Sequence, residues 1–136
     1  MPRVRYERAD DVCEAIKLIL SMGLLPHIDP SRIHCVRSRG SSTRVVARIY
    51  GLPRPWIVAG LEPGYVIEVV SERFDSLDCR GKLKTLLHEL LHIPKTFSGA
   101  LRPHGRYVNS RVVGALYRRV RGLEGEVCRA LSGRRG

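Results

Sequence analysis

Apolar residues recur at helical spacing in three stretches of the chain and alternate in two others. Val12, Ala15, Ile16, Ile19, Leu20 and then Leu24 form a stripe that predicts a first helix over residues 11–22. Asp10 and Asp11 open it and Gly23 stops it. Leu83, Leu86, Leu87, Leu90 and Leu91 make a second stripe, which Pro94 ends. A third runs through Val112, Val113, Leu116, Tyr117, Val120, Leu123, Val127 and Leu131 over residues 110–131, weakened in its middle by Gly122 and Gly125. Two stretches read as strands. In residues 32–38, Ile33, Cys35 and Arg37 oppose His34 and Val36; in 65–71, Tyr65, Ile67 and Val69 oppose Val66, Glu68 and Val70.

Residues 43–50 fit either type. Val45, Val46, Ile49 and Tyr50 have helical spacing, while their β-branched content suits a strand; the expectation taken here is a short helix stopped by Gly51. Residues 1–8 read as a basic lead-in, and Pro53, Pro55 and Trp56 as an irregular passage. The pattern predicts one α+β domain over residues 1–136, a small mixed β-sheet packed with the second helix plus N- and C-terminal helices. The strand at 65–71, placed at a sheet edge, would offer N–H and C=O groups to an extended peptide.

Chemistry enters with the second stripe. Within it stands His88-Glu89-Leu90-Leu91-His92, the H-E-x-x-H pattern, and His104 follows across a loop rich in Ser98, Gly99 and Pro103. Residues four apart share one helix face, so His88 and His92 can reach one metal ion. Glu89 is placed to act as general base on a water at that metal. A catalytic zinc site uses three protein ligands and keeps one position open, and His104 is the natural third. An amphipathic helix carrying two histidines by accident is the bland alternative. The helical stripe before the motif and the turn-forming loop before His104 argue against it. His27 and His34 read as a loop histidine and a solvent-facing strand histidine, not as ligands.

Composition sharpens this picture. The 136 residues include no apolar run near 18–20 residues and no leader pattern, so a soluble, cytoplasmic protein without a membrane segment is expected. Cys13, Cys35, Cys79 and Cys128 form no C-x-x-C, which leaves no cysteine zinc site and makes free thiols the simplest expectation. Intracellular disulfides of hyperthermophiles are the exception, and one Asn, no Gln and 20 Arg to 4 Lys fit a thermophile. The net charge of +11 makes nucleic acid a candidate partner, with Arg118, Arg119 and Arg121 as its surface; a solvated helix face explains those arginines more simply.

The segment HELLHIPKTFSGALRPHGRYVN resembles the core of a family of small metallopeptidases of archaea and phages, within the zincin group. The similarity extends from Arg37 to Asn109 and includes ARIYGLP and YVIEVVSERFD. It implies a minimal zincin domain with His88, His92 and His104 on zinc and Glu89 as catalytic acid/base. A looser likeness is to SprT-type proteases, small basic proteins that act on proteins attached to DNA. The chain departs from better-known zincins. The metzincin pattern puts the third histidine six residues after the second, against twelve here, and Met1 and Met22 both precede the motif, so there is no Met-turn. A thermolysin-type glutamate ligand would have to be Glu124 or Glu126, beside the glycines that weaken the last helix.

The expected function is zinc-dependent hydrolysis of a peptide bond in a peptide or protein substrate, with Tyr107 or Arg102 as donor to the developing oxyanion. Two rivals remain: a nucleic-acid-associated protein with a structural or non-catalytic metal, and a protease brought to DNA-bound proteins by its arginines.

Overall fold

In the computed structural model, which describes residues 3–132, the chain runs β1 (Arg5–Arg8), α1 (Asp10–Leu20), β2 (Ile33–Arg39), β3 (Ala47–Gly51), α2 (Arg54–Val58), β4 (Tyr65–Val70), α3 (Ser71–Phe74), α4 (Cys79–Leu91), α5 (Ser110–Val120) and α6 (Glu124–Ser132). Met1 and Pro2, the start of the expected lead-in, lie outside the described residues. The architecture is α+β. One mixed sheet has the order β1-β2-β4-β3, with β2 and β4 parallel and the other two pairs antiparallel.

Strand alternation decides which face is buried. Ile33 and Cys35 of β2 and Tyr65, Ile67 and Val69 of β4 join one core with Val12, Ile16 and Ile19 of α1, Leu83, Leu87 and Leu90 of α4, and Val127 and Leu131 of α6. Arg37 also points inward. Its guanidinium is 3.0 and 3.1 Å from the two oxygens of Asp11 and is bonded to both oxygens of Asp75, so β2 is tied to α1 and to the start of the α4 approach. A buried charge of this kind is tolerated only because the fork geometry satisfies it. The opposite face carries His34, Val66, Glu68 and Tyr50, with the Tyr50 hydroxyl donating to Glu68 at 2.5 Å.

Five expectations are corrected. Residues 43–50 contain no helix: Ala47–Gly51 is strand β3, paired antiparallel with β4, and cross-strand hydrogen bonds to a buried neighbour outweigh a helical spacing that is only eight residues long. The strand at 65–71 is not an edge; β4 lies between β2 and β3, and β3 takes the edge position. The last helix is two, α5 and α6, separated by a 3₁₀ turn at Arg121–Leu123 that contains Gly122. Cys79 and Cys128 are not free thiols: they form a disulfide across α4 and α6, with Cα atoms 5.7 Å apart, while Cys13 and Cys35 are free. The stretch at residues 5–8, read as a lead-in, is strand β1, invisible as such because all four of its residues are exposed.

Candidate metal centre

Helix α4 begins where Asp78 accepts from the Gly81 N–H at 2.8 Å, an N-cap that fixes the helix start. Leu83, Leu86, Leu87, Leu90 and Leu91 go into the core, which turns Lys84, His88 and His92 to the opposite side. His92 is the C-cap, and two residues later Pro94 turns the chain away. The carbonyl of Ile93, left without a helical partner, accepts from His27 Nε2–H at 3.0 Å. His27 is therefore a structural clasp on the helix end, and His34 is exposed on the far face of the sheet.

The loop from residue 94 to 104 is tied to the scaffold at several points. Tyr65, its ring buried at the start of β4, accepts from Gly99 N–H at 2.9 Å and donates to the Ala100 carbonyl at 2.7 Å. Phe97 sets its ring edge-on to Tyr65, with centroids 5.2 Å apart. Gly99 has φ +94 and passes so close to β3 that a Cβ on Gly51 would lie 1.8 Å from its carbonyl oxygen. Only glycine fits on both sides of that crossing. Beyond it, Arg102 N–H donates to the His92 carbonyl at 2.7 Å, and His92 Nδ1–H donates to the Arg102 carbonyl at 2.6 Å. Asn109 closes the loop by donating to Gly105 and capping α5 at Val112.

This path brings His104 to the histidine face of α4. The ligand nitrogens of His88, His92 and His104 lie within 4.8 Å of one another. His88 Nε2 and His104 Nε2 are 2.9 Å apart, close to the separation of about 3.3 Å that two imidazole nitrogens have on a tetrahedral zinc. Because the Arg102 carbonyl can only accept, His92 carries its proton on Nδ1, leaving Nε2 as the lone-pair donor to a cation. Burial and the two neighbouring imidazoles lower the His88 pKa, which keeps its ring in the neutral, ligating form. The donor set fits a divalent metal. Among the described residues no further His, Cys, Asp or Glu joins this group.

Glu89 sits beside the histidines, 7% exposed, and burial pushes its carboxyl up to about 7. It lines both halves of a cleft. On one side are Ile49, Leu101, Arg102 and Pro103; on the other Val46, Lys84, Ser110 and Val113; His88 and Ala47 belong to both. Arg102 thus lines the cleft, while Tyr107, 56% exposed, stacks on the Arg102 guanidinium at 5.0 Å. Arg118, Arg119 and Arg121 are exposed at the end of α5 and in the turn after it, apart from the histidines in sequence and element. Glu124 accepts from the Tyr117 hydroxyl, and neither it nor Glu126 is in the histidine group.

Sequence reasoning missed Tyr65, Gly51 and the role of β3. Tyr65 reads as an ordinary core residue, and nothing local marks the crossing of Gly51 and Gly99. The hydrogen bonds Val70 N–H to Val46 and Leu52 N–H to Gly64 put the even-numbered residues of β3 in bonded pairs with β4. The N–H and C=O groups of Ala47 and Ile49 therefore point away from β4, at the open edge of the sheet and into the cleft.

Among the described residues no helix is long and apolar enough to cross a membrane. No curated protein and no solved structure matches the chain. One family model does match, over residues 4–127, nearly the whole length and including every residue of the centre. The chain belongs to the family described as putative phage metallopeptidase.

Proposed function

We propose that the protein is a zinc-dependent peptidase acting on extended peptide segments. The observation that carries this reading is the convergence of three imidazole nitrogens within 4.8 Å beside a buried glutamate, at the free edge of a strand. His88, His92 and His104 would hold the ion. Zinc in such a site supplies Lewis-acid polarisation of a carbonyl and a lowered pKa for its water.

The rest is done by the protein's own groups. The edge of β3 aligns the substrate backbone by hydrogen bonds from Ala47 and Ile49. Glu89 takes the proton from the attacking water and delivers it to the leaving amine nitrogen. A carboxyl raised to about 7 is suited to both halves of that transfer. Of the two donors considered for the developing oxyanion, Arg102 lines the cleft, and Tyr107 holds its guanidinium by stacking.

A structural zinc site, which would bring a fourth protein ligand, is disfavoured by the three-histidine group. The test is metal content of the purified protein followed by cleavage of unstructured protein with and without a chelator. Glu89→Gln should keep the metal and lower turnover by at least about 10²-fold. Full activity in that variant would remove Glu89 from the mechanism.

A further inference from the structure

The histidine face of α4 does not end at His88. Four residues towards the N-terminus stands Lys84, and four further Arg80, so Arg80, Lys84, His88 and His92 form one row along the helix. Lys84 lines the α5 half of the cleft, a cavity of about 470 Å³ whose other walls include Val46, Ala47 and Val113. Its ammonium lies 5.1 Å from the centroid of the Tyr117 ring, and the Arg80 guanidinium lies 5.2 Å from the same centroid. Arg121 is near enough for its charge to act on the Tyr117 hydroxyl. Neither Arg80 nor Lys84 forms an ion pair with a carboxylate among the described residues, and Glu124 accepts from the Tyr117 hydroxyl. Two cations on one ring repel each other, and an anion entering between them relieves that repulsion.

We propose that the cleft selects acidic peptides: carboxylate side chains on the α5 side of the scissile bond are held by Lys84 and Arg80. This rests on the peptidase reading for the location of the scissile bond, not for the affinity itself. Helix geometry sets the register. Lys84 is about 6 Å along α4 from His88 and Arg80 about 12 Å, which in an extended substrate corresponds to acidic residues about two and four positions from the metal. A peptide is favoured over a nucleic acid because the cations flank a cleft whose opposite wall offers backbone N–H and C=O groups at the β3 edge. Those groups match the alternating acceptors and donors of a peptide backbone, whereas a DNA phosphodiester chain offers acceptors to the N–H groups but no donor to the C=O groups.

The experiment measures binding and cleavage separately. Fluorescent decapeptides of one sequence, carrying Asp, Asn or Lys at the flanking positions, are titrated against metal-loaded Glu89→Gln protein and are offered to the metal-loaded wild type. The Asp peptide should bind about tenfold more tightly than the Asn peptide, and the Lys peptide more weakly than either. Lys84→Glu and Arg80→Glu should each abolish this order and the double variant should reverse it, whereas Arg119→Ala, which removes a charge elsewhere, should keep it. No preference, or a preference that Lys84→Glu and Arg80→Glu leave in place, overturns the proposal. So does a single-stranded oligonucleotide that displaces the Asp peptide and binds more tightly than it. Acid-selective binding without cleavage would sink the peptidase reading and leave this one standing; unselective cleavage would do the reverse.

Discussion

Arg102 and His92 are joined by two reciprocal hydrogen bonds, Arg102 N–H to the His92 carbonyl at 2.7 Å and His92 Nδ1–H to the Arg102 carbonyl at 2.6 Å. The same residue that orients the second imidazole of α4 thus fixes the chain two positions before His104. Helix and loop are set as one unit.

The loop's other anchor is the Tyr65 hydroxyl, so Tyr65→Phe strips partners from Gly99 N–H and Ala100 C=O. We expect metal affinity to fall about tenfold, as when a supporting group behind a ligand is lost. Titration against a chromophoric chelator checks this, with Glu89→Gln as the control that binds as tightly as wild type. Equal affinity in Tyr65→Phe would mean that the loop is held by other means.

Gly51→Ala should displace the same loop by a different route. The added methyl would lie 1.8 Å from the Gly99 carbonyl oxygen, and backbone cannot rotate out of the way. The expected cost is about 3 kcal/mol of stability, together with weakened metal binding, while far-UV circular dichroism stays close to wild type. Urea unfolding followed by metal titration measures both.

Reduction of Cys79–Cys128 frees a loop with a sequence separation of 49. Chain entropy then predicts a loss of about 4 kcal/mol and a drop in Tm on the order of 15 °C. Calorimetry with and without reductant, repeated on Cys128→Ser, tests it. A Tm indifferent to reductant would mean that the bridge does not form in solution.

The acid limb of stability should depend on Asp75. Burial acts to raise its pKa, but hydrogen bonds from Arg37 and Ser71 and the Arg37 charge outweigh it, and the carboxyl is held below its ordinary value. A depressed acid contributes stability that is fully present above its unfolded pKa of about 3.9 and disappears as pH falls through the lower folded value. Asp75→Asn should cost about 1–3 kcal/mol at neutral pH, since Asp11 still holds Arg37. The gap from wild type should close below about pH 4, as read by denaturant midpoints across pH.

Much of the centre was legible because it is local. The spacing of His88 and His92 rests on helical period alone, and Pro94 and the Ser-Gly-Pro loop mark where the chain can return. What could not be read depends on distant partners. β3 has a helical spacing, and only its pairing with residues 65–69, on the far side of α2, makes it a strand. The Cys79–Cys128 bridge depends on how α6 packs on α4, which no spacing of cysteines encodes. The Gly51–Gly99 crossing joins two segments that carry no shared motif.

Every residue named as lining the cleft falls between Val46 and Val113, whereas β1, α1, β2 and α6 contribute none of them. The two ends of the chain act as a buttress behind an uninterrupted interval that holds the chemistry. Sequence drift in the buttress can therefore retune rigidity and heat tolerance without rewriting reactivity.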